Sequence, residues 1–353
     1  MLLFSWLVFW ASFGFSEECL KGAIHVHSYR SHDSKGSFKE IGQALRTQNF
    51  DFVILTDHQP PPKGVRPRLK IKGVPVLPVE ENLLWIEGAE VTIKKKHQVL
   101  VLGSPAGKVL WLRGHEMEGL LEAKAAGAFL FLGHTAYSPK FPYPDMLDGV
   151  EIYNPHMDIW RAWRHWPRWL HLLLSHKDDL RKLWLSFLRH HKTEIKIWHR
   201  LVAGRPLGIM GGNDAHQNVR VMGRLIDPYD ASFEFLATYV WAEGKSEEAI
   251  LKALAGGRSY VGFPVIEDAR GFRFEISSRT LSATLPQGAV GNIKIFKDNK
   301  KLGETTGESL SWPVEAPGLY RVEAWRTVRK KKRPWIYSNI IRVKESDLSA
   351  TAP

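Results

Sequence analysis

Between Gly22 and about Gly262, short apolar runs end abruptly in polar residues and are followed by stretches with helical spacing. FDFVILTDH, AGAFLFLGH, DGVEIYN and RPLGIMGGNDAH all have this form. Each reads as a buried strand closing on His, Asn or Asp, and intervening segments such as FKEIGQALRTQ and EMEGLLEAKAAG read as helices. Strand–helix alternation predicts an α/β fold built on a parallel sheet or barrel. In such folds the chemistry sits at the C-terminal ends of the strands, where these polar residues fall.

From about Phe263 the period changes. FRFEISS, GNIKIFKD, GLYRVEAW and WIYSNIIRVK alternate with period two and are separated by Gly, Pro, Asn and Lys. They predict a small antiparallel β sandwich over 263–345, with 346–353 as a frayed tail. The segment Arg326 to Arg333 has six basic residues in eight and reads as a solvated hairpin tip that blunts a sheet edge. Docking of an anionic partner is the alternative.

Pro155 to Arg205 is an insertion of another kind. Trp160, Trp163, Trp166, Trp169, Trp184 and Trp198 are interleaved with Arg161, Arg164, Arg168 and Lys182. Leu180, Leu183, Trp184, Phe187 and Leu188 line one helical face, with Ser175 as its candidate N-cap. The stretch reads as a helical hairpin packed on the fold. The alternative is a basic, aromatic surface that lids the site or makes peripheral contact with a membrane. Its seven histidines lack ligand spacing and are left out of the candidate metal set.

Residues 1–16, MLLFSWLVFWASFGFS, carry no charged side chain. The apolar run is short for a span of ~20 residues. Gly14 and Ser16 place small residues ahead of Glu17, as a secretory cleavage site requires. A signal peptide, and so an exported protein, is the first reading. An uncleaved membrane anchor and a buried first helix follow it.

The whole chain has 353 residues, with 49 Lys+Arg against 37 Asp+Glu and a net charge of +12. That surplus favours acidic partners without naming one. A single cysteine, Cys19, excludes a disulfide framework, a Cys-rich zinc site and an iron–sulfur cluster. There is no G-x-S-x-G elbow for serine hydrolysis, and no nucleic-acid motif.

The histidines carry the chemistry. His25 and His27 lie two apart on a predicted strand, so both rings point to one side. Asp33 follows in a Ser- and Gly-containing loop, and Asp57 and His58 close FDFVILTDH. Glu90 and His97 lie in EGAEVTIKKKHQVLVLG, His134 follows AFLFLG, and Asp214 and His216 follow PLGIMGGN. Crowding these acids and imidazoles on one rim without a cation would cost several kcal/mol. A His-rich set with some carboxylate suits zinc, manganese or iron over calcium or magnesium.

The order HVHS, SHDS, LTDH, GAE…H, GHTAYS, VEIYN, NDAH resembles the PHP (polymerase and histidinol phosphatase) family over about residues 21 to 262. The SHDS form, the short Glu-to-His gap and the β-rich tail with WIYSN resemble its carbaryl-hydrolase-like branch. The resemblance implies a distorted (β/α)7 PHP-type barrel over 19–262, followed by the β sandwich. It implies three divalent metals. His25, His27, Glu90 and Asp214 would hold the first. Glu90, His97 and His134 would hold the second, and Asp33, His58 and His216 the third.

The activity this implies is hydrolysis of a small-molecule ester by a metal-activated water. Asp214 or His216 would shuttle the proton, and Asp57 would support a ligand. Tyr137, Asn154 and Arg220 follow motif strands and are candidates for substrate contact. A phosphoester is the first substrate class, because the family is largely phosphatases and the chain is basic. A carboxylic or carbamate ester is the second. A non-catalytic module docking anionic lipid or nucleic acid is the third, and a complete ligand set argues against it. The sequence leaves the oligomeric state open.

Overall fold

A computed structural model of the chain describes residues 17–60, 77–94, 96–109, 111–156, 158 and 179–349. The expected leader over 1–16 lies outside them. So do Trp160, Trp163, Trp166, Trp169, Arg161, Arg164, Arg168 and Ser175 of the insertion.

The first part of the chain runs β1 (Glu18–Val26), α1 (Phe38–Thr47), β2 (Phe52–Leu55), β3 (His58–Gln59), β4 (Leu84–Ile86), β5 (Gly88–Ile93), β6 (His97–Leu102), α2 (Glu116–Ala125), β7 (Phe129–Gly133) and β8 (Gly149–Tyr153). It continues with α3 (Leu180–Phe187), α4 (Lys192–Val202), β9 (Gly208–Gly211), β10 (Arg220–Val221), β11 (Arg224–Leu225), α5 (Tyr229–Phe235), β12 (Ala237–Ala242), α6 (Glu247–Ala255) and β13 (Ser259–Gly262). The second part is almost all strand: β14 (Arg273–Ser277), β15 (Thr280–Thr284), β16 (Gly291–Lys297), β17 (Lys300–Gly307), β18 (Ser309–Pro313), β19 (Gly318–Val328), β20 (Lys331–Ser338) and β21 (Ile341–Val343), then α7 (Glu345–Ser349).

The elements follow local rules. Ser37 caps α1 through a reciprocal capping box with Glu40, which satisfies two otherwise unpaired amides. The four residues of β2, Phe52–Leu55, are all buried, as an unbroken apolar run between two covered faces requires. Leu183, Trp184 and Phe187 turn the apolar face of α3 inward. Its N-cap is Asp179, which accepts from the Lys182 amide at 2.9 Å, in place of the expected Ser175.

The ladders are mixed. A six-stranded sheet has the order β3-β5-β6-β7-β8-β9, with β5, β6 and β7 antiparallel to their neighbours in that run and β7, β8 and β9 parallel. A second sheet runs β17-β16-β19-β20-β13-β12-β1-β2-β4, with β21 on β19. Among the described residues these ladders do not close on each other. The architecture is therefore mixed α/β with two large sheets, and among the described residues the closed barrel implied by the resemblance is not drawn by the hydrogen bonds. The run β5–β6–β7 is antiparallel, through a tight hairpin between β5 and β6 and a connection carrying α2 between β6 and β7, where an all-parallel barrel would need crossovers.

Strands on both sides of residue 262 share one sheet, because β13 pairs with β20 through Tyr260↔Ser338 and Gly262↔Ile336. A separate sheet, β14-β15-β18, completes the C-terminal part. No helix among the described residues is long and apolar enough to cross a membrane.

Candidate metal centre

The parallel strands β1 and β2 deliver the first residues of the site. Their register shifts between Ile24 and Val26, so His25 sits at a bulge with φ of 64°. His27 lies just past the strand end. The two rings still converge, with centroids 5.2 Å apart, but through a bulge rather than by plain strand alternation. His134 (φ 43°) and Asp214 (φ 49°) also hold left-handed backbone, a costly conformation for residues with a Cβ. Three strained positions at one focus mark where the fold aims side chains.

Glu90 is the hub. It sits on β5 with His58 beside it in register. Glu90 Oε2 lies 3.3 Å from His25 Nε2, 3.3 Å from His27 Nε2 and 3.2 Å from His58 Nδ1. His134 Nε2 approaches Oε1 at 3.6 Å. Asp214 is a second hub, with His25, His134 and His156 at 3.4, 3.5 and 2.9 Å. Asp33 Oδ2 completes the arrangement, 3.1 Å from His58 and 3.4 Å from His216. The His27 and His216 rings stack at 3.9 Å.

Four donor sets have their ligand atoms within 4.8 Å of one another: His27, Asp33, His58 and His216; His25, His27 and Glu90; His25, His134 and Asp214; and His156, Asp214 and His216. Above them opens a cavity of about 600 Å3, lined by Asp33, His58, Glu90, His134, Asp214 and His216 among others.

A supporting layer fixes these side chains. Glu151 on β8 takes the His25 Nδ1 edge at 2.7 Å and the His134 amide at 2.6 Å. Asn154 donates Nδ2 to both Glu151 oxygens and to Asp214 Oδ2, each at 3.2 Å. Ser31 Oγ stands 3.2 Å from His27 Nδ1 and accepts from the His58 amide at 3.2 Å. Asp57 lies behind the cluster. It accepts from the Ser28 amide (2.7 Å), Ser28 Oγ (2.8 Å) and Arg30 Nε (2.9 Å), so it clamps the loop that carries His27.

Burial disfavours charge throughout, and the neighbours decide each group. Burial would raise Glu90 and Asp214. The imidazoles around them, His25 and His58 for Glu90 and His156, His25 and His134 for Asp214, hold both well below the usual carboxylate range. Burial, with His216 alongside, pushes His27 well down. His25 and His134 rise despite their burial because Asp214, Glu151 and Glu90 surround them, and His58 rises through Glu90 and Asp33. His216 overcomes its burial through Asp33 and Asp214 and is pushed up to about 9. The pocket's acids demand positive charge.

His97 belongs to none of these sets. Its Nδ1 lies 2.9 Å from Ser138 Oγ and its ring meets Phe141 edge-on. The reason is register: Glu90 pairs with Leu100, while His97 pairs with Ile93 at the hairpin end. His97 is thus three positions along and on the opposite face. His156 joins the cluster instead. The sequence pattern groups it with the insertion, because it lies three residues past the end of β8 whereas His134 directly follows β7. Glu151 was also missed, and only its alternation within β8 signals it.

The expected substrate contacts separate. Asn154 is buried among Glu151, His134 and Asp214. Tyr137 is 55% exposed, with its ring centroid 6.3 Å from that of His134. Arg220 lies on the exposed β10–β11 hairpin and donates to Gly223 O at 3.1 Å.

No family model and no curated protein matches the chain. Among solved structures, it is similar to a two-domain protein from Bacteroides vulgatus containing a predicted PHP-like metal-dependent phosphoesterase. That pair is 17% identical over 92% of this chain and 96% of the other, with a TM-score of 0.48. The Clostridium perfringens spore cortex lytic enzyme SleM is 10% identical over 92% of this chain and 98% of the other, with a TM-score of 0.16. Similarities of this size assign neither a family nor an activity, and none supports the carbaryl-hydrolase-like branch. The reading of the site rests on its own geometry.

Proposed function

We propose that this chain is a metal-dependent hydrolase that cleaves phosphate esters. The convergence of Glu90, Asp214, Asp33 and six imidazoles beneath one open cavity carries the reading. The donors fit cations. His27 Nε2, Asp33 Oδ1 and Glu90 Oε1 are buried atoms with no hydrogen-bond partner, each an unmade contact worth about 1–3 kcal/mol. Two acids held ionised and one imidazole held neutral are the ligating forms.

His27, Asp33, His58 and His216 would hold one ion, and His25, His27 and Glu90 another. Asp214 stands in two further sets, with His25 and His134 and with His156 and His216, which suits a bridging acid. Three ions of zinc, manganese or iron match this donor count and chemistry. Bound there, such ions supply Lewis acidity and make water nucleophilic at neutral pH.

The chain's own residues do the rest. Glu151, Asn154 and Ser31 fix the rings and acids so that no reorganisation is needed at the reaction step. The His156 Nδ1–Asp214 Oδ2 contact at 2.9 Å is a route for a proton at the cavity floor. With Asp214 held ionised as a ligand, His216 remains the candidate to pass a proton to the leaving oxygen.

Phosphate esters are favoured by the net charge of +12. A carboxylic or carbamic ester is the second reading, because no Lys or Arg lines the cavity over the cluster among the described residues. Elemental analysis of the purified chain, then assays on phosphate and carboxylic esters with manganese, zinc or iron, tests both. Glu90→Gln and His134→Ala should lose bound metal and turnover. Full activity in either variant removes the reading. Export is a separate proposal, and N-terminal sequencing of the mature chain tests it: a start at Glu17 supports it and a start at Met1 removes cleavage.

A further inference from the structure

Among the described residues, ten line the cavity over the cluster, and seven of these stand in the donor sets. The others are Asn218, Val219 and Gln98. Asn218 commits its Nδ2 to the Asp33 carbonyl at 2.7 Å, so it braces the loop that carries a donor. Val219 offers no polar side-chain atom. Gln98 is the polar side chain left over, and its amide makes no hydrogen bond to a described residue.

Strand β6 is buried at every position except Gln98, which is half-buried. Register explains the exception. Gln98 pairs with Thr92 on β5 and with Gly133 on β7. Side chains directly opposite each other share a face, and Glu90 and Thr92, two apart on β5, share theirs. Gln98 therefore stands on the face of Glu90. His97, one residue earlier, is turned away. The alternation that takes His97 out of the donor sets turns Gln98 into the cavity.

The neighbours leave this amide room. On β7 the facing position is Gly133, which sets no side chain beside it, and His134 of the donor sets follows directly. Glu90 is opposite Leu100, so Gln98 is its diagonal neighbour, with Cα atoms about 7–8 Å apart. Side chains on one face of a sheet stand roughly side by side. The separation therefore persists towards their tips and leaves space for one tetrahedral group between the amide and the donors. An amide suits this place. It offers two N–H donors and adds no charge to a pocket of acids and imidazoles.

We propose that Gln98 is a substrate-contact residue whose Nε2 donates to an oxygen of the scissile group, and so sets which way that group faces over the cluster. In a phosphate ester the acceptor is a non-bridging oxygen. The hydrogen bond strengthens as negative charge builds there, and no bond to Gln98 forms or breaks. This inference deepens the hydrolase reading and rests on it.

The test is calorimetric binding of phenylphosphonate, which is not hydrolysed, to the full chain loaded with manganese. Gln98→Leu keeps the approximate volume and removes the amide. Its affinity for phenylphosphonate should fall about tenfold or more, the size of a hydrogen bond to a charged group, with bound manganese unchanged. Gln98→Glu removes the donor and adds a repelling charge, so its loss should be larger. On p-nitrophenyl phosphate, kcat/KM of Gln98→Leu should fall by at least the factor seen in binding. Equal phenylphosphonate affinity in wild type and Gln98→Leu overturns the contact and leaves the metal centre intact. A loss of affinity matched by a loss of manganese assigns Gln98 to support of the cluster and overturns it too. A wild-type chain that takes up no metal and binds no phenylphosphonate overturns the hydrolase reading and the contact with it.

Discussion

His25 Nδ1 lies 2.7 Å from Glu151 Oε1, with neither side chain exposed. The same carboxylate accepts the His134 amide, so one acid on β8 orients residues from two other strands. Partners that orient ligating imidazoles matter to affinity by about 10–100-fold. Glu151→Gln keeps the volume but weakens this grip. Its metal affinity should drop by about that factor in competition with a chelating indicator, with little change in the far-ultraviolet dichroism. Unaltered affinity would show that His25 needs no anchor.

Gly212 should prove as specific as any ligand. A Cβ there would sit 1.7 Å from Glu151 Oε1 and 3.1 Å from the His25 Cβ. Gly212→Ala must therefore displace Glu151, at a cost of about 1–3 kcal/mol for overpacking and with a loss of metal affinity. Removing the obstructing carboxylate should relieve the clash. In a double-mutant cycle measured by denaturant unfolding, Gly212→Ala should cost far less in a Glu151→Ala background. An additive result would place the strain elsewhere.

His97 and His156 make opposite predictions. His156→Ala removes a donor 2.9 Å from Asp214 and should lower the metal stoichiometry or affinity. His97→Ala removes contacts with Ser138 and Phe141 and should leave metal content unchanged, while losing some stability from a buried position. Elemental analysis of the two variants side by side decides, and a reversal of the pattern would restore His97 to the ligand set.

Arg30 is buried between Asp57 and Glu87, at 2.9 and 2.7 Å. Burial raises both acids and Arg30 lowers them. Arg30→Met strands two acids in a site with little water, which typically costs about 3–5 kcal/mol. It should also loosen Ser28 and the loop bearing His27. Unfolding in urea would reveal a midpoint shift of that size, and a shift below about 1 kcal/mol would mean that water takes over Arg30's role.

Glu323 predicts how the C-terminal sheet responds to acid. Burial would raise its carboxyl, but His190 and Arg321 hold it down to about 2. A folded value below the unfolded one means stability that is present in full above about pH 4.5 and is lost as pH falls towards 2. The stake is about 3 kcal/mol. Glu323→Gln should flatten the stability curve between about pH 5 and 2 relative to the wild type. Parallel curves would assign the acid sensitivity to other carboxylates.

The amino-acid order alone determined the alternation of buried runs and helices, the change to period two after Phe263, and most of the convergent donors. His25, His27, Asp33, His58, Glu90, His134, Asp214 and His216 all stand in the donor sets. They were legible because an apolar run reports burial locally, and the residue that ends it reports where the chain meets the rim. Tertiary structure alone decided between His97 and His156, placed Glu151 behind His25, and moved Asn154 from the reaction face to its support. Each of those depends on which strand lies alongside which, and in what register. A slip of one residue exchanges the faces of a strand, and spacing along a single chain carries no record of its neighbour. The same holds for the open ladders. Local patterns predict strands, but whether they close a ring depends on pairings such as β13 with β20, made between segments far apart in the chain.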